Sequence, residues 1–146
     1  RGALQLSEKR VSTILTPIET TYWLTPDTEL TSERVNEIKA NGYSRIPIFN
    51  SDLTESHGVL LMKELVDIDF DEKTYRIDEL PLHPMQAVGS RTALDTMFRI
   101  FIASHTHLIP IERDDHIVGI ATIEDLIEEI LGHEIKDETD HQKHRK

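Results

Sequence analysis

With 146 residues, 38% of them hydrophobic and 5% aromatic, the chain has the length of one ordinary domain built mainly on aliphatic side chains. A formal charge of -11 argues against general nucleic-acid binding, which draws its affinity from basic residues facing phosphates, but it leaves room for one nucleotide in a local pocket. The absence of cysteine excludes disulfides and thiolate metal sites, and no stretch approaches the roughly 18 apolar residues of a membrane span.

Taken in chain order, Val11, Ile14, Leu15 and Ile18 have helical spacing that Pro17 ends or kinks, which predicts a lead-in helix over 1–16. A short extended run, Tyr22 to Leu24, leads to a Thr/Asp/Ser-rich turn and a helix. A strand rich in β-branched residues follows from Arg45 to Phe49. The polar loop Asn50 to His57 turns into a second strand, Gly58 to Leu61, and a second helix is expected from about Met62.

The series then starts again. Ile46-Pro47-Ile48 recurs as Ile109-Pro110-Ile111, Gly58-Val59 as Gly119-Ile120, and Lys63-Glu64-Leu65-Val66 as Glu124-Asp125-Leu126-Ile127. Val35, Ile38 and Ala40 match Phe98, Phe101 and Ala103, while Leu24, Thr28 and Leu30 match Val88, Thr92 and Leu94. Ordered matches across three segments establish an internal repeat, with length differences confined to loops. The expected fold class is therefore α/β (α+β): two tandem β-α-β-β-α repeats related by a pseudo-two-fold, each covering a sheet face the other cannot cover alone. The expected boundaries are 1–16 for the lead-in helix or linker, 17–80 for the first repeat, 81–132 for the second, and 133–146 for a flexible tail, acidic then basic. The opening Arg1, in place of a methionine, leads us to expect a piece of a longer protein, with any membrane-spanning part elsewhere.

Candidate chemistry gathers where strand Gly119-Ile120-Ala121 runs into a helix through Thr122-Ile123-Glu124-Asp125. One reading is a capping box in which Thr122 caps the helix and Asp125 reaches back. The other, compatible with it, offers free N–H groups and the Thr122 hydroxyl to a phosphate, and the Asp125 carboxylate to both hydroxyls of a ribose. Leu61 and Glu64 stand at the companion positions, which predicts a poor or empty first-repeat site. Arg45 reads either as a snorkelling surface residue or as a phosphate partner, and Tyr43 either as core or as the wall of an adenine slot. His105 and His107, two apart near a strand, face one side, but no third metal ligand is evident. No Walker or dinucleotide glycine pattern occurs, and no Ser/His/Asp order points to catalysis, so neither catalytic residues nor a metal site are assigned.

The duplicated unit ending in this G-h-h-T-x-x-D pattern resembles the CBS repeat, two of which form a Bateman module. Finer detail resembles the cyclin-M (CNNM, ancient conserved domain) branch and its CorC relatives. That detail comprises Arg1-Gly2-Ala3-Leu4, Ile14-Leu15-Thr16-Pro17, Gly42-Tyr43-Ser44-Arg45-Ile46-Pro47-Ile48, the run from Gly119 to Ile130, and Asp137-Glu138-Thr139-Asp140. The resemblance covers about residues 11 to 131, with Leu61, Glu64 and Pro110 as departures. It implies a regulatory module rather than an enzyme, on the cytosolic face of a membrane and attached to a transmembrane domain linked to magnesium transport. It further implies ATP (or ADP or AMP) with Mg²⁺ in a cleft between the repeats, and a homodimer that responds to nucleotide. Carried over, Asp125 matches the ribose-binding aspartate, Thr122 the phosphate-side threonine and Arg45 an arginine near the phosphates, while Tyr43, Ile46, Pro47 and Ile120 fall around the base. The rival expectations are a docking or dimerisation platform without nucleotide sensing, or the regulatory module of a soluble enzyme.

Overall fold

Two hairpins of matching register form the frame of the computed structural model, which describes residues 6–132. The elements in order are β1 (Thr16–Pro17), β2 (Glu29–Leu30), α1 (Ser32–Ala40), β3 (Arg45–Phe49), β4 (Ser56–Leu61), β5 (Tyr75–Arg76), β6 (Val88–Gly89), α2 (Leu94–Ser104), β7 (Leu108–Arg113) and β8 (His116–Thr122). A further helix, α3, runs through 123–132 at the end of the described residues. The flexible tail expected over 133–146 lies outside them, as do Arg1-Gly2-Ala3-Leu4.

The repeat visible in the sequence is a repeat of connections. In the first half β3 pairs antiparallel with β4, Ile46 opposite Leu60, and Leu24 bridges in parallel to Ile48. In the second, β7 pairs with β8, Pro110 opposite Ile120, and β6 runs parallel to β7 with Val88 opposite Ile111. Proline is tolerated in β3 because Pro47 and Val59 turn their backbone polar groups away from each other: the Pro47 carbonyl accepts from the Leu24 amide and Val59 bonds to His83, so the missing N–H removes no bond of the β3–β4 pair. The β7–β8 turn is closed by Asp114 and Asp115 at φ 52° and 64°, the left-handed pair that a two-residue hairpin requires. α1 is capped by the Thr31 hydroxyl, which accepts from the Arg34 amide at 3.1 Å, and it ends at Gly42 with φ 76°.

Each half has its own core. Leu30, Ile38, Ile46, Ile48, Leu60 and Ile77 are sealed in the first; Val11, Leu94, Met97, Phe101, Ile111 and Leu126 in the second. A third cluster, with Phe49, Val59, Met85, Leu108, Ile117 and Ile120, joins the halves.

Two expectations change. The lead-in is not one helix up to Pro17: residues 6–8 are helical, the chain breaks at Lys9 and Arg10, and Val11–Thr13 form a single 3-10 turn before β1. The Val11 and Ser12 amides donate to the Thr92 and Ser90 carbonyls (2.7 and 3.1 Å), and the Leu94 amide donates to Lys9. Val11 is wholly buried in the second core, worth about 1.5–3 kcal/mol by transfer. The lead-in is thus part of the second half. Likewise, the helix expected from Met62 is one 3-10 turn, Met62–Leu65.

The segment before the second half mirrors the lead-in. Ile77 and Asp78 donate to Thr28 and Pro26, Ile77 enters the first core, and β5 pairs with β2. β1 pairs with β8 (Thr16 opposite Ile120), while His83 exchanges two backbone hydrogen bonds with Val59 on β4. The two lead-in segments therefore cross over, each completing the other half.

The second crossover carries a small electrostatic clamp. Arg76 Nε and Nη2 donate to the two Asp78 carboxylate oxygens (3.1 and 2.8 Å), which holds the Asp78 carboxyl below its ordinary range. The Thr25 hydroxyl, donating at 2.6 Å, does the same for Asp27. Both shifts are downward. Their contribution is present above the unfolded-state value near 3.8 and is lost as pH falls through the lower folded value. Asp78→Asn is expected to melt slightly below wild type at pH 6, with the gap closing below pH 3.8 and narrowing in high salt, as read by calorimetric scans. A gap that widens in acid would contradict this.

Candidate functional site

At the β8–α3 junction the backbone shows half of a capping box. The Thr122 hydroxyl accepts from the Asp125 amide at 3.1 Å, and the Ile123 amide is satisfied by the His107 carbonyl at 3.0 Å. The reciprocal half is missing. The half-buried Asp125 carboxylate makes no hydrogen bond or ion pair among the described residues. Elsewhere in the chain the reciprocal bond does form, from the Arg76 amide to Glu79 Oε1 at 2.8 Å.

The companion junction in the first half keeps the backbone and loses the chemistry. The Met62 amide donates to the Ser44 carbonyl at 3.0 Å, as Ile123 does to His107. Leu61 brings no hydroxyl, and Glu64 Oε1 lies 2.7 Å from His83 Nε2. The carboxylate that corresponds to Asp125 is therefore already engaged.

The other expected residues separate into exposed and buried groups. Arg45, exposed at the start of β3 and opposite Leu61, lines a cleft of about 380 Å³ between the halves. Leu108 lines the same cleft and is the register partner of Thr122, which does not itself line it. Tyr43, 41% exposed, stacks on Tyr22 with ring centroids 4.6 Å apart and planes 15° from parallel. Ile46 has no exposure and belongs to the first core, Pro47 is buried beside it, and Ile120 packs between the halves. Of the seven residues singled out from the sequence, Arg45 alone lines the cleft.

Sequence reasoning passed over Lys63 and His83, which also line that cleft, and weighed the turn from Ser104 to Leu108, which lines it too, only for a metal at His105 and His107. It also missed β1, which brings Thr16 alongside Ile120. His105 and His107 both line the cleft, and no group of three metal-ligating side chains occurs among the described residues.

Comparison with known proteins agrees with this architecture. The CBS domain family model matches residues 77–132. Protein MAM3 of Saccharomyces cerevisiae is 34% identical over 144 residues, which cover 95% of this chain and 20% of that protein. The metal transporter cnnm-1 of Caenorhabditis elegans is 32% identical over 152 residues, covering 95% and 19%. The chain thus spans about a fifth of the length of the curated relatives it matches. Among solved structures, the CBS domain of a bacterial CNNM/CorC family Mg²⁺ transporter in complex with ATP superposes with a TM-score of 0.77 at 22% identity, over 90% of this chain and 93% of that one. The chain therefore carries a CBS domain over residues 77–132, is homologous along nearly its whole length to part of MAM3 and of the metal transporter cnnm-1, and shares the fold of the CNNM/CorC CBS domains.

Proposed function

We propose that the chain is a regulatory, non-catalytic adenine-nucleotide-binding module on the cytosolic face of a membrane, acting on an attached transmembrane transport domain linked to magnesium. The observation that carries this reading is the Asp125 carboxylate, half-buried and without a partner among the described residues, beside a helix start whose Thr122 hydroxyl already holds the local backbone. A carboxylate in that setting suits the two hydroxyls of a ribose, and Arg45 suits the phosphates. Tyr43, backed by Tyr22, offers its outer ring face to the base. Pro47, Ile46 and Ile120 serve by shaping the backbone beneath it, since their side chains are buried. A bound ATP in the bacterial relative's CBS domain supports the choice of ligand class. A triphosphate entering a chain of net charge -11 calls for Mg²⁺ as counter-charge, so affinity depends on the metal.

The module works as a homodimer in this reading. Phe98 and Ile102 on α2, and Ile127 and Leu131 on α3, are left exposed in i, i+4 pairs on the two helices that pack over the second core. A second copy covers such a self-complementary face by a two-fold contact. Nucleotide regulates only if it binds one dimer arrangement better than another.

Calorimetric titration with ATP tests the site: one site per chain is expected, with affinity falling at least tenfold when Mg²⁺ is chelated. Two equal sites, or no binding, would overturn it. Sedimentation in the same solutions is expected to shift on adding ATP with Mg²⁺. An unchanged profile would favour a second reading, a docking platform for which those exposed apolar pairs are the main asset.

A further inference from the structure

We infer that Lys9 is a positioning residue through which the lead-in segment senses what happens at the start of α3. The nature of that event, a nucleotide at Asp125, rests on the function proposed above; the link itself rests on how the lead-in is packed.

Lys9 holds two helices by different means. Ala93 stands at the N-cap of α2 and supplies no side-chain cap, so the Leu94 amide donates instead to the Lys9 carbonyl at 3.0 Å. Arg10 bridges antiparallel to Ala93 and fixes the direction of approach. The Lys9 side chain turns to α3, where Nζ lies 2.8 Å from Glu129 Oε1. These partners are 120 positions apart in the chain, whereas the Arg76–Asp78 and Arg99–Asp95 pairs are local. The two side chains are 37% and 29% exposed, a setting in which an ion pair adds at most about 1 kcal/mol, so its effect lies in orientation more than in stability.

Glu129 lies one turn beyond Asp125, at i, i+4 on one stripe of α3. Between them in sequence, Leu126 is sealed in the second core with Val11, and Leu6 and Ile130 pack against that core. A ligand that engages the Asp125 carboxylate therefore acts on a helix whose next turn is tied to Lys9. Any shift of α3 passes through Lys9 to the start of α2 and to the Val11 and Ser12 amides, which bond to residues 92 and 90. The same residue sets the angle between the two helices that expose Phe98, Ile102, Ile127 and Leu131.

Hydrogen exchange of the Val11 and Ser12 amides tests the link in the wild type, Lys9→Met and Lys9→Arg. Without nucleotide, Lys9→Met is expected to speed this exchange about fivefold, and Lys9→Arg, which keeps the charge, by less than about twofold. Saturating ATP with Mg²⁺ is expected to slow it about fivefold or more in the wild type and less than about twofold in Lys9→Met, while calorimetry finds the ATP affinity of that variant within about threefold of wild type. Glu128→Gln, an exposed neighbour of Glu129, is the control and is expected to stay within about twofold of wild type throughout. Equal exchange in Lys9→Met and wild type without nucleotide would overturn the link, whether or not ATP binds. ATP bound with the lead-in unchanged, or a full response in Lys9→Met, would overturn it as well. Failure of ATP to bind the wild type would instead sink the function proposed above, and the nucleotide-free comparison would still decide the link.

Discussion

Gly119→Ala is expected to lower the melting temperature by roughly 10 °C, and Gly58→Ala by at least as much. A Cβ at Gly119 would overlap the Thr16 carbonyl oxygen and stand 2.7 Å from Leu15 Cδ1. The first of these atoms is backbone and belongs to the β1–β8 pairing, so it cannot move aside without breaking the crossover. At Gly58 a Cβ would stand 2.5 Å from the His83 carbonyl oxygen, and φ of 103° adds conformational strain for any L side chain. Overpacking against a fixed backbone costs about 3 kcal/mol, and more where strain is added. For a domain of this size that corresponds to the shift above, since each kcal/mol moves the midpoint by about 3 °C. Thermal scans and urea titrations check it. Both variants melting within 2 °C of wild type would mean that the close approaches are not part of the folded state.

The second large effect is on binding. Asp125→Ala is expected to weaken ATP binding, measured with Mg²⁺ present, by about 100-fold, from the loss of two charge-assisted hydrogen bonds worth together about 3 kcal/mol. The variant isolates binding from folding, because the helix cap uses the Asp125 amide and not its carboxylate. Stability is therefore expected to stay within about 0.5 kcal/mol of wild type. Arg45→Leu should act in the same direction, and more strongly on ATP than on adenosine. Unchanged affinity in both variants would end the assignment of this junction as the nucleotide site.

Much of the fold was legible because the repeated tripeptides sit on the paired central strands, where burial dictates residue type. Ile46 and Ile48 face one core and Ile109 and Ile111 the other, so their pattern survives in both halves. The lead-in misled for a physical reason. Val11 is buried and Ile14, Leu15 and Ile18 are partly buried, which gives them helical spacing, but the Val11 and Ser12 amides bond to residues 90–92, and the local bonds close only a single turn. A signal for the crossover was present, since Arg10-Val11 and Arg76-Ile77 correspond, as do Thr16-Pro17-Ile18 and His83-Pro84-Met85. It is diluted by an offset slightly different from that of the strands.

At the candidate site, the Thr122 cap followed from spacing alone. The freedom of Asp125 did not, because whether a carboxylate reaches back to the preceding backbone is settled by side-chain geometry that no spacing encodes. The engagement of Glu64 by His83 was hidden for a different reason: the partners lie 19 residues apart and meet only through the crossover.

The crossing of the two lead-in segments reverses the order in which the halves feel a disturbance. A pull or twist arriving at the backbone of Lys9 and Arg10 passes by hydrogen bonds straight into residues 90–94, in the half that comes later in the chain. The earlier half is loaded afterwards, through β8 and the shared contact layer. Neither half can be peeled away alone without unseaming the other, so the pair responds to mechanical strain as one interlocked body.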